Sequence, residues 1–87
     1  MSQFEKLLFK LLSGHSDHTL AFTDLIKLLQ NFGFEMRIKG SHHILFKAGV
    51  DEILNLQPKG FVAKPYQVQQ VRQLIVKYQL ASKGENS

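Results

Sequence analysis

The apolar residues of this chain change period at Gly33, and that change constrains the fold more than any other feature. Upstream, Leu25, Ile26, Leu28, Leu29 and Phe32 recur at the spacing of one helix face. Downstream, Phe34, Met36 and Ile38 alternate with Glu35, Arg37 and Lys39, the pattern of a half-buried strand with a charged outer face. The glycine between them supplies the left-handed residue that ends a helix. A helix that passes directly into such a strand points to an α+β fold, with helices covering one face of a sheet and water the other.

The remaining elements follow from similar signals. Ser2-Gln3-Phe4-Glu5 has the form of a capping box, and Phe4, Leu7, Leu8 and Leu11 form a stripe that stops at Gly14. Residues 13–19 are polar and read as a loop. Thr23 or Asp24 is expected to cap the second helix. Gly40-Ser41 reads as a turn, residues 42–47 as a second strand and residues 48–50 as a hairpin loop. Residues 51–57 read as a third strand through Ile53, Leu54 and Leu56. Pro58 ends it, and residues 59–64 read as an irregular basic loop. Pro65, at a first helical position, starts a long helix with Val68, Val71, Leu74, Ile75 and Tyr78 on its core face. Short loops between the strands favour an antiparallel meander. The expected fold is an α-β-β-β-α core with a three-stranded antiparallel sheet and an extra N-terminal helix. It forms a single domain over 1–87, with an N-terminal helical extension over 1–21, a core over 22–80 and a flexible tail over 81–87.

At 87 residues the chain has room for one modest core, burying roughly 60–65% of its unfolded surface. It has no cysteine, which excludes a disulfide scaffold, a thiol nucleophile and a cysteine-ligated zinc site. No apolar run reaches the roughly 18 residues of a membrane span. The first twelve residues are interrupted by Glu5, Lys6 and Lys10 and lack the core of a secretory signal. Large multidomain enzymes, doubly wound cofactor folds and membrane proteins are therefore excluded, and no metal or cofactor is expected.

Eleven basic residues against seven acids give a net charge of +4. The excess is concentrated: from Arg37 to Lys83 eight basic residues face only two acids, Asp51 and Glu52. Such a stretch fits a polyanion, nucleic acid first, although a basic surface can also serve solubility alone. Within it lie His42 and His43. An imidazole can take and give a proton near neutral pH, and metal-independent RNA cleavage needs a base for the 2′-hydroxyl and an acid for the leaving oxygen. Neighbouring strand residues point to opposite faces, so the two rings should not sit side by side. Arg37 and Lys39 share the polar face of the first strand and could offset charge on a phosphate. Ser41, Lys47, Lys59 and Lys64 are the other RNA-binding candidates, and Gly40 is expected to build the turn that presents His42. Lys64 precedes a helix N-terminus, which also favours phosphate. Phe61 and Tyr66 could stack on bases or pack as anchors. His15-Ser16-Asp17-His18 has two histidines three apart but no evident third metal ligand.

The run Gly33-Phe34-Glu35-Met36-Arg37-Ile38-Lys39-Gly40-Ser41-His42-His43-Ile44-Leu45-Phe46 resembles the signature of the HicA family. Those are small toxins of bacterial toxin–antitoxin pairs. A second match lies in Asn55-Leu56-Gln57-Pro58, Lys64-Pro65 and the helix through Val71-Arg72-Gln73-Leu74-Ile75. The resemblance covers residues 22–80, and residues 1–21 exceed the compact members. Many members carry a basic hairpin after the second strand; here Lys47-Ala48-Gly49-Val50-Asp51-Glu52 includes two acids. The resemblance implies a fold like the double-stranded-RNA-binding domain and a cytoplasmic mRNA endoribonuclease. It also implies neutralisation by a HicB-like antitoxin. It maps the catalytic histidine onto His42, with His43 as the fallback. The alternative is a non-catalytic module that grips double-stranded RNA by shape.

Overall fold

Ser2 opens the first helix through its side chain. In the computed structural model, which describes residues 2–81, the Glu5 amide donates to Ser2 Oγ at 3.1 Å and the Ser2 amide donates to Glu5 Oε1 at 3.3 Å. This completes the capping box of α1 (Gln3–Ser13). Gly14, at φ 74°, closes the helix by donating its amide to Leu11 O. Leu7 and Leu11 are buried, and Phe4 packs edge-on against Phe32 with centroids 5.2 Å apart. The N-terminal segment is thus a working part of the core. Each buried leucine contributes about 1.5–3 kcal/mol relative to an exposed one.

The second helix, α2 (Phe22–Asn31), starts earlier than the sequence implies. Its N-cap is Ala21, with no side-chain cap, so neither Thr23 nor Asp24 fills that position. The start is set by pairing outside the helix: the Phe22 amide donates to Phe61 O at 3.0 Å, the Ala63 amide donates to Leu20 O at 2.9 Å, and Ala21 bridges Val62. Asp24 lies in the first turn, where its charge complements the helix dipole. Leu25, Leu28 and Leu29 are buried. At the far end Gly33 takes φ 96°. Its amide donates to Gln30 O and the Phe34 amide to Leu29 O, the paired bonds of a Schellman motif.

Phe34 leads into a three-stranded antiparallel sheet of order β1 (Glu35–Lys39), β2 (His42–Lys47) and β3 (Val50–Leu56). Lys39 lies opposite His42, His43 opposite Leu56 and Leu45 opposite Leu54. The β2–β3 loop is shorter than expected, because Val50 already belongs to the third strand and is buried. A register shift follows it: between the Leu45–Leu54 and Lys47–Val50 pairs, β3 has three residues and β2 only one. Ile53 is 65% exposed, since alternation from Leu54 places it on the water face. Ile38, expected inside, is 61% exposed on the edge strand.

The basic loop is in fact a small hairpin, β4 (Pro58–Lys59) and β5 (Val62–Ala63), turned by Gly60 at φ 64° with Phe61 at its tip. Its pairing with residues 20–22 is what removes the expected irregularity. The last helix, α3 (Pro65–Lys77), has Lys64 as N-cap and Pro65 in its first turn. Val68, Val71, Leu74 and Ile75 are buried, Tyr78 is half-buried against the core and Leu80 closes it. Arg72 fastens α3 to the N-terminal part with bonds to both Asp17 carboxylate oxygens, at 2.8 and 3.1 Å, and to Leu11 O at 3.2 Å. Of the expected tail, Ala81 packs against the core and residues 82–87 lie outside the described residues. Among the described residues no helix is long and apolar enough to cross a membrane.

Candidate active site

Alternation along β2 separates the two histidines. His43 points inward, its ring edge-on to Phe22 at 4.8 Å, and its Nδ1 donates to Ser41 O at 3.2 Å. Its contacts are those of a packing residue. His42 faces water on the other side of the sheet, on the face that also carries Lys39, opposite it on β1, and Asn55, opposite Ile44 on β3.

A polar network surrounds the His42 ring. Nδ1 lies 2.9 Å from Asn55 Oδ1, and a carbonyl oxygen only accepts, so Nδ1 carries the hydrogen. The Gln57 side chain is oriented by its other end: Lys64 Nζ donates to Gln57 Oε1 at 3.0 Å, so the amide nitrogen must face His42. That nitrogen is 3.0 Å from His42 Nε2, 3.4 Å from Nδ1 and 3.3 Å from Ser41 Oγ. Similar distances to both ring nitrogens place it over the ring face, since in the ring plane it would collide with the carbon between them. Among the described residues Nε2 has no hydrogen-bond partner other than this amide.

Beneath this network Gln67 is buried in the first turn of α3. Its Oε1 accepts the Gln57 amide at 3.1 Å, and its Nε2 donates to Asn55 O at 3.2 Å and Tyr66 Oη at 3.4 Å. One side chain therefore bonds two backbone groups of residues 55–57, and it fixes the residues that hold His42.

The basic candidates divide into two groups. Lys39 stands opposite His42, close enough for their side chains to meet, and Arg37 follows on the same face with its guanidinium 5.8 Å from the Phe46 centroid. Lys64 joins them through Gln57, and Ser41 through its hydroxyl. Gly40, at φ 63°, makes the turn that presents the ring, and a side chain there would meet nothing within 4 Å, so it is the backbone conformation that favours glycine. Lys47 is elsewhere: five residues along β2, about 16 Å away. Its ammonium lies beside Gly33 at the carboxyl end of α2, where the dipole favours a cation. Lys59 is exposed on β4, and its strand position pairs it with Val62. Arg72 is taken by Asp17, whose carboxylate raises the guanidinium pKa above its ordinary value. Lys77 is likewise raised, chiefly by its hydrogen bond to Glu52. The basic excess thus narrows toward the His42 face.

Phe61 is 94% exposed, which removes its reading as a core anchor, and Tyr66 is exposed beside the network. Asp17, in the candidate metal cluster, is engaged by Arg72. The roles of Asn55, Gln57 and Gln67 were not assigned from sequence. Their signals are present: Asn55 and Gln57 alternate with Leu54 and Leu56, and Gln67 sits one turn before Val71 on an apolar stripe. Compared with known protein families, curated proteins and solved structures, the chain matches none of them.

Proposed function

We propose that the protein is a HicA-type toxin: a cytoplasmic, metal-independent endoribonuclease that cleaves mRNA with His42 as general acid/base. The observation that carries this reading is a solvent-facing histidine whose Nδ1 is held by Asn55 among Lys39, Arg37 and Lys64. An imidazole so held can exchange a proton through its other nitrogen. The order of α2, three antiparallel strands and α3 suits a layout like the double-stranded-RNA-binding domain.

In the reaction the 2′-oxygen bonds to phosphorus, the bond from phosphorus to the 5′-oxygen breaks, and the 2′-hydroxyl proton ends on the departing 5′-oxygen. His42 serves that proton transfer, and the neighbouring cations offset charge gathering on the phosphoryl oxygens. Positioning matters as much as charge, since RNA must lie across β1 and β2 with its phosphate near Lys39. Neutralisation then requires a partner that lays carboxylates against Arg37, Lys39 and Lys64 and covers His42, the part assigned to a HicB-like antitoxin.

Purified protein incubated with RNA in EDTA is expected to cut it, and His42→Ala to stop cutting while still binding RNA. Undiminished cleavage by His42→Ala removes His42 from the chemistry. RNA that stays intact with the folded wild-type protein supports the non-catalytic RNA-binding module instead. Replacing Arg37, Lys39 and Lys64 with Glu is expected to abolish antitoxin binding, and an unchanged complex refutes that surface.

A further inference from the structure

We infer that Asn55 is a positioning residue that fixes His42 as the Nδ1–H tautomer and makes Nε2 the nitrogen that exchanges the proton. The inference rests on the catalytic reading of His42 and adds the residue that selects its reacting atom. A neutral imidazole has one N–H and one lone pair, and which nitrogen carries which is set by the partner of either. Here Nδ1 has an acceptor at 2.9 Å, Asn55 Oδ1. A ring turned over would bring a carbon to that oxygen and forfeit the bond.

Four further contacts keep Asn55 and the ring in place. Gln67 donates to Asn55 O at 3.2 Å and is itself buried in α3, so the β3 backbone under Asn55 is tied to the core. Gln57 lies over the ring face and restricts its rotation, while Lys64 and Ser41 hold the Gln57 amide. Nε2 then has only the Gln57 amide beside it among the described residues, and Lys39 stands opposite His42 on the neighbouring strand. His42 therefore rests with a lone pair toward the substrate and acts first as a base, without rearranging.

Nitrogen-15 NMR of the full-length protein reads the tautomer directly, at a pH above the titration of the ring. Wild-type His42 is expected to show a protonated Nδ1 and an unprotonated Nε2. Asn55→Ala should convert it to a mixture of tautomers, and Asn55→Asp, which keeps an acceptor, should restore the Nδ1–H form. In the cleavage assay Asn55→Ala should lower kcat by about 100-fold, the scale of a misplaced catalytic group, with RNA affinity unchanged. Asn55→Asp should recover most of that loss in kcat. A wild-type ring protonated at Nε2 overturns the inference, as does an Asn55→Ala ring with unchanged tautomer or an Asn55→Ala variant with wild-type kcat. If the wild-type protein cuts no RNA, the catalytic reading fails and the spectra alone decide whether Asn55 sets the ring.

Discussion

Asp17→Asn tests how the N-terminal segment is held, and its magnitude can be worked from three hydrogen bonds. Arg72 reaches both Asp17 carboxylate oxygens, at 2.8 and 3.1 Å, and Leu11 O at 3.2 Å. The Arg72 and Asp17 side chains are 24% and 10% exposed. Breaking a fully buried pair costs about 3–5 kcal/mol. Here Arg72 keeps partial contact with water and its bond to Leu11, so the loss falls to about 2 kcal/mol, the range of one charged hydrogen bond. A urea slope of about 1 kcal/mol per molar for a chain this size turns that into a midpoint about 2 M lower. In thermal melts it corresponds to about 8–16 °C. Repeating the change in an Arg72→Met background should cost little, which gives a coupling of about 1–2 kcal/mol. The Asp17 carboxylate raises the Arg72 pKa, so wherever Asp17 is ionised this contribution is complete below the ordinary arginine value and is lost as pH climbs through the raised one. A midpoint within about 0.5 M of wild type, or two changes that simply add, refutes the pair as the fastening between the N-terminal part and α3.

Other substitutions probe separate parts of the account. Leu11→Ala, at a fully buried position, should cost about 2–5 kcal/mol in chemical denaturation, which makes α1 part of the core and not an appendage. Gln67→Leu strands the Gln57 amide and Asn55 O; a loss of about 1–3 kcal/mol is expected, together with slower cleavage. Gly33→Ala forces a side chain into a φ of 96° and brings its Cβ to 3.1 Å from Lys47 Nζ, so circular dichroism melts should show a loss of about 1–2 kcal/mol. Lys64→Gln should reduce the slope of RNA affinity against salt by about one ion, whereas Lys47→Gln should leave it unchanged.

Most of the element order was legible because each junction has a side-chain or glycine signal: the Ser2–Glu5 box, Gly14, Gly33, and Pro65 after Lys64. The start of α2 was not, because Ala21 caps it through pairing with residues 61–63, forty positions away, and local composition carries no trace of that. The hairpin at 58–63 escaped for the same reason. Ile38 is exposed against expectation because hydrophobicity does not record which strand is at the edge. Within the site, the separation of His42 from His43 follows from strand alternation alone. The hold on His42 does not, since Asn55, Gln57 and Gln67 are ordinary polar residues until β3 and α3 bring them beside the ring. Arg72 shows the converse, a cation counted toward the basic excess that the fold gives to Asp17.

The central claim is that His42, and not His43, performs proton transfer on RNA. The most direct measurement is the single-turnover cleavage rate of a defined RNA in EDTA for the wild type, His42→Ala and His43→Ala, each first shown to be folded. The account predicts at least about a 100-fold loss for His42→Ala, the scale of general acid–base catalysis, and a rate close to wild type for His43→Ala. Loss of cleavage on changing His43 with His42→Ala still active contradicts it, as does a wild-type protein that leaves the RNA whole.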